Sequence, residues 1–204
     1  MASGERESRF VAGKIEMQDL NRQAFKEWSV VCAALGSGKQ SLILRKGGVE
    51  DGAEGIRIEK PEFWLYPTYL HQGEQSVREG EVGSSPSKSD PPKSEKVRIQ
   101  YYAVVERAEF IATEVALARL QKFHIWTSST IVQRFHYRTP GLWSMIVRIY
   151  GLERPYEVLQ SAEMAGCRTW VELPEAISTA GLKPVLGDPE FLEVRQEIEE
   201  MLKG

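Results

Sequence analysis

Two short clusters in this 204-residue sequence carry side chains suited to binding or transforming anions. In the first, Arg45 and Lys46 follow an apolar run and precede Gly47 and Gly48. Glycines let a backbone approach a ligand closely and turn its N–H groups outward. Two adjacent cations beside such N–H groups form an anion site, with phosphate the most direct guest. The competing reading is a charged strand end leaving a hairpin. In the second cluster, Thr68, His71 and Gln72 follow Pro67 at the end of the aromatic run 63–66. A histidine titrates near neutrality and serves as acid, base or donor, so His71 is the catalytic candidate. The alternative is a local cap in which Thr68 and His71 satisfy turn carbonyls.

A third region is broader. Between Lys122 and Arg154 the cations Lys122, Arg134, Arg138, Arg148 and Arg154 face Glu153 alone, with His124 and His136 among them. Phe123, Trp126, Phe135, Tyr137, Trp143 and Tyr150 are interleaved. Arginine among aromatic residues suits stacking on bases and pairing with phosphates. His124, Trp126, Arg134 and Arg148 therefore join the candidate ligand-binding residues. The alternative has the aromatics in the core and the arginines paired with the acidic C-terminal segment.

Several familiar motifs fail on spacing. Gly36-Ser37-Gly38-Lys39 invites a phosphate-loop reading, but that loop needs glycine where Ala33 stands and Ser or Thr where Gln40 stands. Residues 42–48 are similar to the start of a pyrophosphate-hydrolysing Nudix domain. The paired glutamates that family needs are approached only by residues 195–200, one position out of order and with no suitable preceding glycine. Glu59-Lys60 misses the carboxylate-to-lysine spacing of metal-dependent nucleases by one. Three histidines at irregular spacing do not make a zinc site. No cofactor and no metal are expected, and whether the chain is an enzyme stays open.

The elements that must position these residues follow from pattern. Residues 1–16 read as a disordered leader, with Asp19 capping an amphipathic helix over 19–27 on Leu20, Ala24 and Trp28. Residues 29–35 and 40–45 read as two strands of a hairpin around 36–39. Residues 49–59 read as a mobile loop and 62–66 as a strand stopped by Pro67. Residues 17–72 thus form a first α/β half. Residues 73–96 are polar, with one or two apolar residues, and read as a flexible excursion. Residues 97–181 form a second α/β half of the same unit. It holds strands at 97–105 and 143–150, a helix from the cap Thr113 to Phe123, helical turns over 129–135, a helix within 155–164 and a short one near 174–179. Residues 182–204 form an acidic helix from Asp188 to Lys203, with Pro189 at its first position. Its six acidic and two basic residues read as a solvated face. Without regular βαβ alternation the class is α+β, a small mixed or antiparallel sheet with flanking helices.

The bulk numbers are those of an ordinary globular chain, 42% hydrophobic and 27% charged. A net charge of −3 exerts no global pull toward nucleic acid or membrane. No apolar run approaches the roughly 18 residues needed to span a bilayer, and the polar N-terminus is no secretory signal. Cys32 and Cys167 read as reduced thiols of a cytoplasmic protein.

Taken together, Glu27-Trp28, 44–48, 63–72, 124–127, Arg134-Phe135, 148–150 and 166–170 resemble the bacterial, largely cyanobacterial, proteins grouped as domain-of-unknown-function family 1802. The resemblance covers residues 17–177. Arg168-Thr169 departs from the Lys-Ser expected there, and the resemblance implies no activity. The strand 143–150 is also similar to one in small RNA-binding barrels of the PUA kind, which implies a barrel-like second half. The leading expectation is a protein that binds a phosphate-bearing ligand, nucleic acid or nucleotide. Its cleft would be lined by Arg45, Lys46, Gly47, Gly48, Thr68, His71 and Gln72 from the first half. His124, Trp126, Arg134 and Arg148 would complete it from the second. The alternatives are a phosphodiesterase or hydrolase using His71, and a regulatory or assembly protein whose acidic C-terminal helix docks a protein partner. No membrane partner is expected.

Overall fold

The computed structural model describes residues 9–11, 17–47, 50–52, 55–58, 60–69, 76–78, 96–164 and 168–203. The first elements are β1 (Arg9–Val11), β2 (Leu20–Trp28), α1 (Ser29–Gly36), β3 (Leu42–Arg45), β4 (Glu50–Gly52), β5 (Gly55–Arg57) and β6 (Glu62–Thr68). There follow β7 (Lys96–Ile111), α2 (Glu114–Arg119), α3 (Ser128–His136), β8 (Leu142–Leu159), β9 (Trp170–Ser178), β10 (Lys183–Pro184) and α4 (Asp188–Lys203). Eight strands make one mixed sheet in the order β10-β8-β7-β6-β2-β9, with β1 also on β7 and β3 also on β8. β2 and β6 run parallel, and the other pairs in this sheet run antiparallel. Strands and helices together confirm the α+β class. The barrel-like second half is corrected, because the path ends at β10 and β9 without closing.

The sheet is buried on both faces because its central strands alternate between two apolar sets. In β6, Phe63 and Leu65 enter one cluster while Trp64 and Tyr66 enter the other. In β7, Ala103 and Val105 oppose Tyr102 and Val104 in the same way. The larger cluster also takes Leu35 of α1, Leu117 of α2, Phe135 of α3 and Phe191 and Ile198 of α4. The smaller one includes Ala24, Val171, Leu173 and Ile177. A buried polar knot ties the adjoining strands. Tyr102 donates its hydroxyl proton to Glu62 at 2.9 Å, and Asn21 donates to that hydroxyl at 2.8 Å.

Several expected elements hold. β3, β6, β7 and β8 lie where strands were read, and Thr113 caps α2 by accepting from the Ala116 N–H. A 3-10 turn over Gln121–Phe123 completes the span expected there as one helix. α3 and α4 match their expected spans.

Others change, for identifiable reasons. The helix expected over 19–27 is β2, an interior strand held by β6 and β9, where ladder bonds and burial outweigh a weak helical period. The strand expected over 29–35 is α1, since a short apolar run does not reveal its own period. Residues 36–39 are therefore the end of a helix rather than a hairpin turn. The loop expected over 49–59 contains β4 and β5. β6 continues through Pro67, because beyond Trp64 only β2 pairs with it and proline is tolerated there. The helix expected within 155–164 is the end of β8 followed by a 3-10 turn, because β7 reaches back to Lys96 and pairs with it. The helix expected near 174–179 is part of β9, whose edge position accommodates Pro174. Residues 9–11 of the expected leader form β1 on β7. Most of the polar stretch 73–96 lies outside the described residues, but Val77 bridges to Trp126.

Gly36 lets α1 lie against β7. A Cβ there would sit 2.1 Å from the Tyr101 ring, whereas one at Gly47 would meet nothing within 4 Å. Gly36→Ala is expected to lower unfolding free energy by about 1–3 kcal/mol through overpacking. Gly47→Ala should change it by less than about 0.5 kcal/mol. Urea unfolding of the two variants beside the parent measures both.

Candidate functional site

The parallel strands β2 and β6 end side by side, with Trp28 opposite Thr68. Polar groups collect at this end. Glu27 is 1% exposed, and a carboxylate so far from water must be met by donors. Its Oε1 accepts from the Trp28 N–H at 2.8 Å, and its Oε2 accepts from Arg45 Nη1 at 3.2 Å. Arg45 also donates to the Lys26 carbonyl at 2.9 Å and to Thr169 Oγ1 at 3.2 Å. Its guanidinium lies 4.8 Å from the Phe25 ring centre.

Arg134 approaches from α3, which Thr127 caps by accepting from the Thr130 N–H. Its guanidinium lies 4.7 Å from the Trp126 ring and 5.6 Å from the Trp28 ring, and those rings meet edge to face at 5.1 Å. Its Nη1 is buried and has no hydrogen-bond partner among the described residues. Burial lowers the Arg134 pKa. Glu27 opposes that shift, and the positive charge of Arg45 adds to it. Glu27, Arg45 and Arg134 thus form one electrostatic unit with more positive than negative charge.

The strip 76–78 lies across the same place. Arg78 donates its backbone N–H to the Ile125 carbonyl and Nη2 to the His124 carbonyl, and Thr127 donates its N–H to Ser76. His124 is 1% exposed. Burial first, then the charges of Arg78 and Arg134, push its pKa down to about 4. The ring is neutral at pH 7 and leaves the cationic balance to the arginines.

The remaining candidates fall elsewhere. Lys46 turns away from Arg45 and donates to the carbonyls of Phe135, Thr139 and Gly141, holding the C-terminal end of α3. Gly47 lies beyond it in open space. Arg148 pairs with Asp188 and lies over Tyr150 and Phe191. Arg45 pairs with Trp143 and Leu42 with Ile146, so Arg148 sits past the opposite end of β3, roughly 15 Å along β8 at strand rise. Thr68 stands beside Trp28. Trp126 lies in the core as the platform under Arg134. Gly48, His71 and Gln72 lie outside the described residues. The structure therefore brings together Arg45, Arg134, Trp126, His124 and Thr68, and it separates Lys46 and Arg148 from them.

Two participants escaped the sequence reading. In the sequence Glu27 reads only as the last residue of a helix. Arg78 lies inside a polar stretch, 73–96, in which Val77 and Val82 are the two hydrophobic residues. Among the described residues no three His, Cys, Asp or Glu side chains gather as metal ligands, and no helix is long and apolar enough to cross a membrane.

The His124 shift sets a pH dependence. The folded pKa lies below the ordinary value of 6.5, so between about pH 6.5 and 4 the unfolded chain binds more protons and acid destabilises the fold. From pH 7 to 4.5 this amounts to about 2–3 kcal/mol. His124→Gln should lose less stability than the parent over that interval by this amount, as read by urea unfolding at both pH values.

Solved structures similar to this chain include ASCH from Zymomonas mobilis, at 11% identity and a TM-score of 0.43, covering 85% of this chain and 93% of that one. Two mutant forms of the same protein match at 10% and 12% identity, with TM-scores of 0.43 and 0.41. They cover 85% and 88% of this chain and 96% and 98% of theirs. No curated protein matches the sequence. A family model described as "Domain of unknown function (DUF1802)" matches residues 24–197, reaching past residue 177 into α4, and the chain belongs to that family.

Proposed function

We propose that the protein binds a phosphate-bearing ligand, most directly single-stranded nucleic acid, at the surface where Arg45 and Arg134 meet. The observation that carries this reading is Arg134. Its guanidinium rests on two tryptophans, and one buried N–H group has no acceptor among the described residues. An unsatisfied buried donor is unfavourable, and an anionic oxygen would satisfy it. Arg45 next to it leaves net positive charge after Glu27 is counted. With a whole-chain charge of −3, attraction for an anion is local rather than global. About two phosphate contacts at this patch contribute a shallow salt dependence, near −1.4 in slope for single strands.

The alternatives have less support. The hydrolase reading depends on His71, which lies outside the described residues. A partner-docking role for α4 competes with its own intramolecular pairs. Asp188 meets Arg148, Glu197 meets Lys122, and Glu199 meets Arg107 and Arg195.

Fluorescence anisotropy with short labelled RNA and DNA strands tests the proposal. Binding is expected at low salt and should weaken along the slope above. Arg134→Ala should weaken it about ten-fold or more. No binding at low salt, or an Arg134→Ala variant that binds like the parent, would overturn the reading.

A further inference from the structure

A second cationic and aromatic feature lies beside this patch. A cleft of about 220 Å³ is lined by Lys60, Met164, Arg168, Trp170, Val171 and Glu172. Trp170 is half-buried and fixed by two rings that meet it edge to face, Phe25 at 4.8 Å and Phe63 at 5.1 Å. The Lys60 ammonium lies 5.4 Å from the indole centre, and Arg168 is exposed at the rim. Neither cation has a carboxylate partner among the described residues. Glu172, which also lines the cleft, accepts from Gln23 through Oε1 at 3.1 Å.

This cleft is physically joined to the patch already described. Thr169, between Arg168 and Trp170, accepts from Arg45. Arg45 and Trp170 both rest on the Phe25 ring, which places them within about 10 Å of each other. One tripeptide therefore orients an arginine of the first site and walls the second.

We infer that the cleft is a nucleotide subsite of the same binding surface. A base lies against Trp170, and Lys60 and Arg168 pair with its phosphate. Glu172, which only accepts, faces a donor group of the base or sugar. This rests on the reading that the Arg45–Arg134 surface takes phosphate-bearing ligands. A strand crossing from Trp170 to Arg134 would meet both sites in succession.

The test pairs two probes. With labelled oligonucleotides, the double variant Lys60→Gln/Arg168→Gln should bind about ten-fold more weakly than the parent and flatten the salt slope by about 0.7, the share of one phosphate. Its melting temperature should match the parent's, since neither side chain is in the core. If the double variant binds like the parent while Arg134→Ala does not, the subsite is overturned and the proposed function stands. If the parent binds no oligonucleotide, the proposed function falls, and a 5′-nucleoside monophosphate titrated by NMR then decides the subsite. Movement of the Trp170 indole N–H signal in the parent but not in the double variant supports it. No movement in the parent overturns it.

Discussion

The buried carboxylate of Glu27 constrains everything around it. It sits where β2 turns into α1, in a strand paired on both sides, so water cannot solvate it. Stripping one partner from such a pair costs about 3–5 kcal/mol when burial is complete. Glu27 therefore needs both the Trp28 N–H and the Arg45 guanidinium. The second contact fixes the shape of the molecule. β3 lies beside β8, four strands away from β2 along the sheet. The sheet does not close through backbone pairing. Arg45 instead spans from β3 to β2 and, through Thr169, to the start of β9.

This arrangement accounts for a local positive site on an acidic protein. One carboxylate organises Arg45 and leaves Arg134, stacked on Trp28 and Trp126, without a full complement of acceptors. Trp126 is itself held by the strip 76–78, which pairs across residues 125–127. His124 adds no charge near neutrality because burial and two arginines keep it deprotonated. Rigid aromatic support and excess cation come from different parts of the chain and meet only in the folded state.

Some of this was legible in the sequence. The aromatic run of β6, the cap at Thr113 and the amphipathic run of α4 all announce their elements. β2 and α1 do not. In β2 both faces are buried, so Ala24, Phe25, Lys26, Glu27 and Trp28 show no period of two, and Leu20, Ala24 and Trp28 imitate a helix. In α1 the β-branched Val30 and Val31 imitate a strand. Arg45 and Arg134 were recognisable by type as ligand-binding candidates, 89 positions apart. Their meeting depends on the parallel pairing of β2 with β6 and on the reach of Arg45 across the open sheet, which residue spacing does not encode. Lys46 and Arg148 showed the same chemistry in sequence, but the nearest acceptors in the fold, the C-terminal carbonyls of α3 and Asp188, engage them elsewhere.

The proposal that Arg45 and Arg134 receive an anion implies that Glu27 tempers their positive charge. Glu27→Gln tests it most directly, because the amide oxygen still accepts from Trp28 while the negative charge is gone. Oligonucleotide affinity measured by anisotropy across a salt series should rise, with a salt slope steeper by about 0.7, even as the fold loses stability. Affinity and slope unchanged from the parent, in protein shown to be folded, would contradict the account.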